Sequence, residues 1–200
     1  MQSTVPQPMR LGVFGNEGSF SEAAGLAWLE QQGRCLGRDA ELRHVADLSG
    51  LLLALHGKRV ECAILPVVNS SAGLVLPAFE ALGRHAFRPV GELTLAVEQC
   101  LCLRDAEVDV AGILAVVSHP HALAQCRAGL EERLPGTERV AWSDTASAAR
   151  DLAVGVLPAA TSAVVCSRGA AERFGLHCLA TGIQDDPHNR TTFLIVERTE

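Results

Sequence analysis

The sequence predicts an α/β fold with mainly parallel sheets, arranged as two α/β lobes with a cleft between them. Three observations carry this prediction. Short apolar segments alternate with amphipathic ones along the 200 residues, the pattern of successive βα units. One long β segment, 90–103, can carry the chain from one sheet to another, with a return near 179–190. Clusters of small hydroxyl residues follow several strands, at the edge where open α/β sheets bind ligands. The layout assigns residues 9–90 with 180–200 to the first lobe and 91–179 to the second, and leaves 1–8 as a flexible tail.

The elements follow in order. RLGVF at 10–14 is an apolar strand, and residues 20–31 have helical spacing. ELRHV at 41–45 is a strand, and DLSGLLLALHGK at 47–58 a helix with Lys58 at its solvated end. ECAILPV at 61–67 is a buried strand, and a helix is expected near 73–83. Beyond the β segment, ILAVVS at 113–118 is a strand and ALAQCRAGLEERL is helical. RVAW at 139–142 precedes the helical TASAARDLA, and SAVVC at 162–166 precedes the helical RGAAERFG. NRTTFLIVERTE, from Asn189 to Glu200, is a polar loop running into a closing strand.

Composition narrows the function. Hydrophobic residues make up 48% and charged residues 20%, the balance of a soluble globular protein. Apolar runs break well short of the roughly 20 residues that a membrane span needs, so no membrane partner is expected. MQSTVPQPMR lacks the apolar core of a signal peptide. The seven cysteines include no C-x-x-C pair and fit small buried hydrophobes in a reducing cytoplasm. The seven histidines are scattered in no ligand pattern, so no metal is expected. A net charge of -6 without a basic stripe disfavours nucleic acid. An anionic ligand would have to be held locally, by helix N-termini, hydroxyls or a placed arginine.

Four turns offer such groups. GNEGSFSEAA at 15–24 places Ser19 and Glu22 in capping-box spacing. PVVNSSAG at 66–73, SHPHALAQC at 118–126 and SDTASAA at 143–149 follow three further strands. In the third, Ser118 or His119 can cap and Pro120 suits a first helical turn; in the fourth, Ser143 or Asp144 can cap. Singly, each turn is an ordinary cap. GNEGSF lacks the G-K-S/T of a nucleotide loop and the third glycine of a dinucleotide fingerprint, and no G-x-S-x-G elbow occurs.

Together and in this order, the turns resemble the catalytic domain of the prephenate dehydratase family. That family has a G-x-x-G-S/T-F/Y-S turn, matched by Gly15, Gly18, Ser19, Phe20 and Ser21. Its P-I/V-E-N-S-x-x-G turn is matched by Pro66, Val67, Asn69, Ser70 and Gly73. Its S-H-P-Q-A-L-x-Q-C segment is matched by Ser118, His119, Pro120, Ala122, Leu123, Gln125 and Cys126. S-T-A-x-A-A is matched by Thr145, Ala146, Ala148 and Ala149, and A-A-E-x-F/Y-G-L by Ala170, Ala171, Glu172, Phe174, Gly175 and Leu176. N-x-T-R-F is matched by Asn189, Thr191 and Phe193, so the resemblance spans residues 10–198.

The resemblance implies two lobes like a type II periplasmic binding protein with the active site in their cleft, and a homodimer or larger assembly. It implies loss of carboxylate and hydroxide from prephenate to give phenylpyruvate, with no cofactor because aromatisation drives the step. Thr191 matches the threonine most tied to catalysis and is cast as hydrogen-bond donor to the departing hydroxyl. His119 is a candidate general acid, with a structural histidine at a helix start as the alternative. Substrate contacts are expected from Ser19, Phe20, Ser21, Asn69, Ser70, Ser118, Thr145 and Phe193.

Three positions depart from the family pattern: Val68 stands for glutamate, His121 for glutamine and Thr192 for the arginine of T-R-F. A threonine cannot replace a guanidinium. Arg190 shares a face with Thr192 if the segment is extended, and is the candidate substitute. The family usually carries a C-terminal ACT domain that binds phenylalanine, and this chain ends before one could begin. Two other functions stay open: a prephenate decarboxylase that does not aromatise, and a non-catalytic protein that binds a small carboxylate.

Overall fold

Residues 7–199 are described by the computed structural model of the chain. Of the tail expected over 1–8, residues 1–6 lie outside the described part. The chain starts with β1 (Met9–Phe14), α1 (Phe20–Gln31), β2 (Ala40–Val45), α2 (Leu48–His56) and β3 (Cys62–Asn69). It continues through a short β4 (Gly73–Leu74), α3 (Leu76–Leu82) and β5 (Phe87–Ala96). A second run holds β6 (Gln99–Leu103), β7 (Ala115–Ser118), α4 (Pro120–Gln125), α5 (Arg127–Arg133), β8 (Glu138–Ala141) and α6 (Thr145–Ala153). It ends with β9 (Ser162–Ser167), α7 (Arg168–Phe174) and β10 (His177–Thr181), after which β11 (Arg190–Arg198) closes the chain.

Two units result. The first takes the described residues up to Asn16, Ser21–Leu95 and those from Arg190 on; the second takes Glu17–Phe20 and Ala96–Asn189. The sequence placed the crossings at 90/91 and 179/180; they fall at 95/96 and 189/190 because β5 runs on within the first sheet and β10 stays in the second. The long β segment is thus two strands, one in each sheet.

The first sheet has the order β2-β1-β3-β11-β5, with β4 beside β3. β1 pairs parallel with β2 and β3, while β11 runs antiparallel to β3. The second sheet has the order β10-β6-β9-β7-β8, with β7 parallel to β8 and β9, and β6 antiparallel to β9 and β10. Both sheets are therefore mixed rather than mainly parallel. Apart from the short β4 hairpin, the antiparallel partners come from far along the chain, which local alternation cannot reveal.

Each unit buries its own core. In the first, Leu51, Leu52 and Leu55 of α2 pack with Ala63 and Leu65 of β3 and with Ala78 of α3. In the second, one sheet face carries Cys100, Cys102 and Cys166 against Ala148, Ala149 and Leu152 of α6. The other carries Leu101, Leu103 and Val165 against Leu130 of α5. The helical stretch 122–134 breaks at Cys126, whose φ of -114 and ψ of 19 are not helical. The carboxylate of Asp185 accepts from Ala128 N at 2.9 Å, capping α5 from a distant loop. Gly129 admits that loop, since a Cβ there would lie 2.3 Å from Ile183 O. Among the described residues, no helix is long and apolar enough to cross a membrane.

Candidate active site

Thr191 lies on β11 opposite Asn69 of β3, and an irregularity in the ladder places it there. Thr192 pairs with Val68 but Phe193 pairs with Pro66, so Val67 is an extra residue on β3. Pro66 has no N–H to give the ladder, and the bulge sits beside it. The carbonyl of Val67 accepts instead from Val75 N at 2.9 Å, drawing β4 and the start of α3 back along β3. Unbroken pairing from Phe193 would have set Thr191 against Val68; the extra residue sets it against Asn69. The stretch 66–73 is thus a hairpin into β4, not the strand-to-helix turn expected from the sequence.

The Asn69 amide is fixed in one orientation. Its Oδ1 accepts from Ser71 N at 3.1 Å and Ala72 N at 2.9 Å, so its Nδ2 faces β11. There it donates to Thr191 Oγ1 at 3.0 Å and Arg190 O at 3.2 Å. Ser70 completes the clamp: Arg190 N donates to its Oγ at 2.9 Å, and its own N donates to Arg190 O at 2.8 Å. Thr191 is 9% exposed. Because its oxygen accepts from Asn69, its own O–H is left to donate elsewhere, and the bond it receives polarises that O–H. Phe193 is fully buried and anchors β11 in the core.

Two of the departures from the family pattern face each other. Val68 and Thr192 are register partners, both half-buried. Thr192 Oγ1 lies 2.9 Å from Thr94 Oγ1 on β5, so the hydroxyl is used within the sheet. An apolar group opposite a neutral one leaves no unpaired charge at this pair. Arg190, two residues before Thr192 on the same strand, is exposed.

The other candidates fall mainly in the second unit, apart from Ser21, which is buried at the start of α1 in the first. Glu17–Phe20, with Ser19 and Phe20, belong to the second unit, where Glu17 and Gly18 contact α7 and its cap. Ser167, the N-cap of α7, donates to Gly18 O at 2.5 Å and accepts from Ala170 N at 3.0 Å. Gly18 has a φ of +82, and a Cβ on it would come 2.7 Å from Ala170 Cα. Sequence reasoning passed over Ser167; its signal is a serine between a strand and a helical run.

Ser118 is fully buried and donates to Val165 O at 2.6 Å, so its proton is committed inside the sheet. The cap of α4 is His119: its Nδ1 accepts from His121 N at 3.2 Å, which in the neutral ring leaves the proton on Nε2. His121 Nε2 lies 3.0 Å from Gln125 Nε2, one helical turn on. Thr145 opens α6, whose cap is Asp144 rather than Ser143, accepting from Ser147 N at 2.8 Å. A carboxylate already sits at that helix N-terminus, so α6 offers an anion less than the sequence suggested. Among the described residues, no group of three or more His, Cys, Asp or Glu is placed to hold a metal ion.

Known proteins resemble this chain over much or most of its length. The family model for prephenate dehydratase matches residues 11–200. A prephenate dehydratase of Mycolicibacterium gilvum is 35% identical over 192 residues, 93% of this chain and 60% of that protein. An arogenate dehydratase of Arabidopsis thaliana is 42% identical over 137 residues, 68% of this chain and 31% of that protein. The crystal structure of a prephenate dehydratase from Arthrobacter aurescens, in complex with L-Phe, superposes with a TM-score of 0.82 at 28% identity. It covers 96% of this chain and 61% of its own. The chain thus spans between about a third and three fifths of these relatives' lengths. These matches establish that the chain belongs to the prephenate dehydratase family.

Proposed function

We propose that this chain is the catalytic domain of a prephenate dehydratase, a carbon–oxygen lyase of phenylalanine biosynthesis. The observation that carries the reading is the Thr191 hydroxyl, whose oxygen accepts from the fixed Asn69 amide at 3.0 Å and whose proton is free to donate. In the reaction the ring carboxylate leaves as carbon dioxide. Its bonding pair enters the ring, and the C–O bond at the opposite carbon breaks. One proton is taken up, so hydroxide departs as water and phenylpyruvate remains. An alcohol is too weak an acid to supply that proton unaided. Thr191 instead donates a hydrogen bond to the departing oxygen as charge develops on it, the kind of preorganised donor that favours a transition state.

Within the first unit, Ser70 and the Asn69 amide fix the β11 backbone, and Arg190 supplies a cation for a substrate carboxylate. His119, Ser19, Phe20, Ser21, Thr145 and the backbone beside Ser118 complete the proposed substrate set, and no cofactor enters. Arogenate differs from prephenate only in bearing an amine where prephenate has a ketone, and the 42% identity to an arogenate dehydratase makes it the second substrate to offer. The working form is proposed to be a cytoplasmic homodimer or larger assembly. Supporting this are seven unpaired cysteines and the exposed Leu74, Leu76 and Phe79 on one short stretch.

The test is incubation with prephenate, and separately with arogenate, following ultraviolet absorbance and carbon dioxide together. An aromatic product with equimolar carbon dioxide is expected. Carbon dioxide alone would make the chain a decarboxylase. Neither product, with prephenate still raising the melting temperature, would make it a binding protein.

A further inference from the structure

The turn Glu17–Phe20 rests on one ridge of α7 at three points. Ser167 Oγ donates to Gly18 O at 2.5 Å, Gly18 lies against Ala170, and Arg173 pairs with Glu17 at 2.6 Å. Positions 167, 170 and 173 recur at a spacing of three, a row along one side of a helix. The three contacts are unequal. The Arg173–Glu17 pair is exposed, with side chains 42% and 53% accessible, and such pairs contribute little. Ala170 supplies shape without direction. The Ser167 bond is buried, its residue only 5% exposed, and one hydroxyl both starts α7 and fixes the Gly18 carbonyl.

We propose that Ser167 is a positioning residue for substrate binding: by holding the Gly18 carbonyl it sets the conformation in which the turn presents Ser19 and Phe20. This rests on the reading of that turn as part of the substrate site. It also gives the A-A-E-x-F-G stretch a purpose, since only a small side chain at Ala170 lets the Gly18 backbone approach.

Three variants of the full chain separate the roles. Ser167→Gly removes the hydroxyl but keeps a residue tolerated as an N-cap. Ser167→Thr keeps the hydroxyl, and Arg173→Ala removes the exposed pair. Two readouts are taken: hydrogen exchange at the amides of 17–20 in the unliganded protein, and KM and kcat for prephenate. Ser167→Gly is expected to speed exchange at the turn about tenfold and to raise KM about fivefold with kcat within about twofold. Ser167→Thr restores both, and Arg173→Ala changes neither. Unchanged exchange in Ser167→Gly overturns the latch, whatever the activity. Faster exchange with unchanged KM in an active enzyme overturns its part in binding. A wild-type chain that turns over no prephenate overturns the proposed function and the binding role with it, while exchange still decides the latch.

Discussion

Asn69→Asp reverses the bond to Thr191 and removes the one to Arg190 O, which keeps its bond from Ser70 N. In Asn69→Asp, the oxygen that accepts from Ser71 N and Ala72 N is retained, so the turn keeps its form. The amide donor to Thr191 becomes a second acceptor. The Thr191 O–H then turns inward onto the carboxylate and is lost to the substrate. The expected outcome is a fall in kcat of about 10²-fold, the cost of one preorganised donor, with the protein still folded but about 1 kcal/mol less stable for the lost bond to Arg190 O. Steady-state kinetics and a thermal melt check it. At Arg190 the expected effect is on binding: Arg190→Ala raises KM for prephenate about tenfold while kcat changes little, the signature of binding shared by ground and transition states.

At the scale of elements, β3 and β11 decide how the departures from the family should be read. Val68 and Thr192 looked like two separate losses in the sequence, yet they are register partners. Either charge alone, introduced by Val68→Glu or Thr192→Arg, is expected to destabilise by about 1–2 kcal/mol, since each half-buried group lacks a counterpart. Together they should recover about 1 kcal/mol as a cross-strand pair. Urea unfolding of the four proteins in a double-mutant cycle measures the coupling.

The same strands show what was legible beforehand. Alternation located most of the strands and helices to within a few residues, though not β4 or β10, and the ordered turns singled out Thr191, Asn69 and Ser70. The bulge at Val67 was not legible, because it exists only against a strand more than 100 residues later, paired by Thr192 and Phe193. The break at Cys126 depends likewise on Asp185, and the inward hydroxyl of Ser118 on Val165. Such partners come from tertiary pairing, and local pattern carries no record of them.

For the molecule as a whole, the cysteines give a test of both cores. Cys35 and Cys178 are exposed; Cys62, Cys100, Cys102, Cys126 and Cys166 are buried and unpaired. Burial pushes the thiols of Cys62 and Cys126 up to about 12. A hydrogen bond from the Cys166 thiol, with burial, raises the Cys102 thiol as well. At pH 8 a charged disulfide reagent should modify Cys35 quickly, Cys178 more slowly because burial raises its thiol, and the other five only after denaturation. A thiol raised on folding contributes its full stability below its ordinary value of 9.0, and that contribution falls away as pH climbs toward the folded value of about 12. Unfolding free energy should therefore decline from about pH 9 to about pH 12, as chemical denaturation across that range will show.

The central claim is that this chain dehydrates prephenate through a donor at Thr191. Phenylpyruvate formation by the wild type and by Thr191→Val, which keeps the shape and removes the hydroxyl, tests it most directly. A wild type that forms phenylpyruvate, with kcat in the variant lower by about 10²–10³-fold and KM nearly unchanged, is the predicted result. Equal turnover by the two proteins would contradict the role of Thr191, and no phenylpyruvate from either would contradict the proposed function.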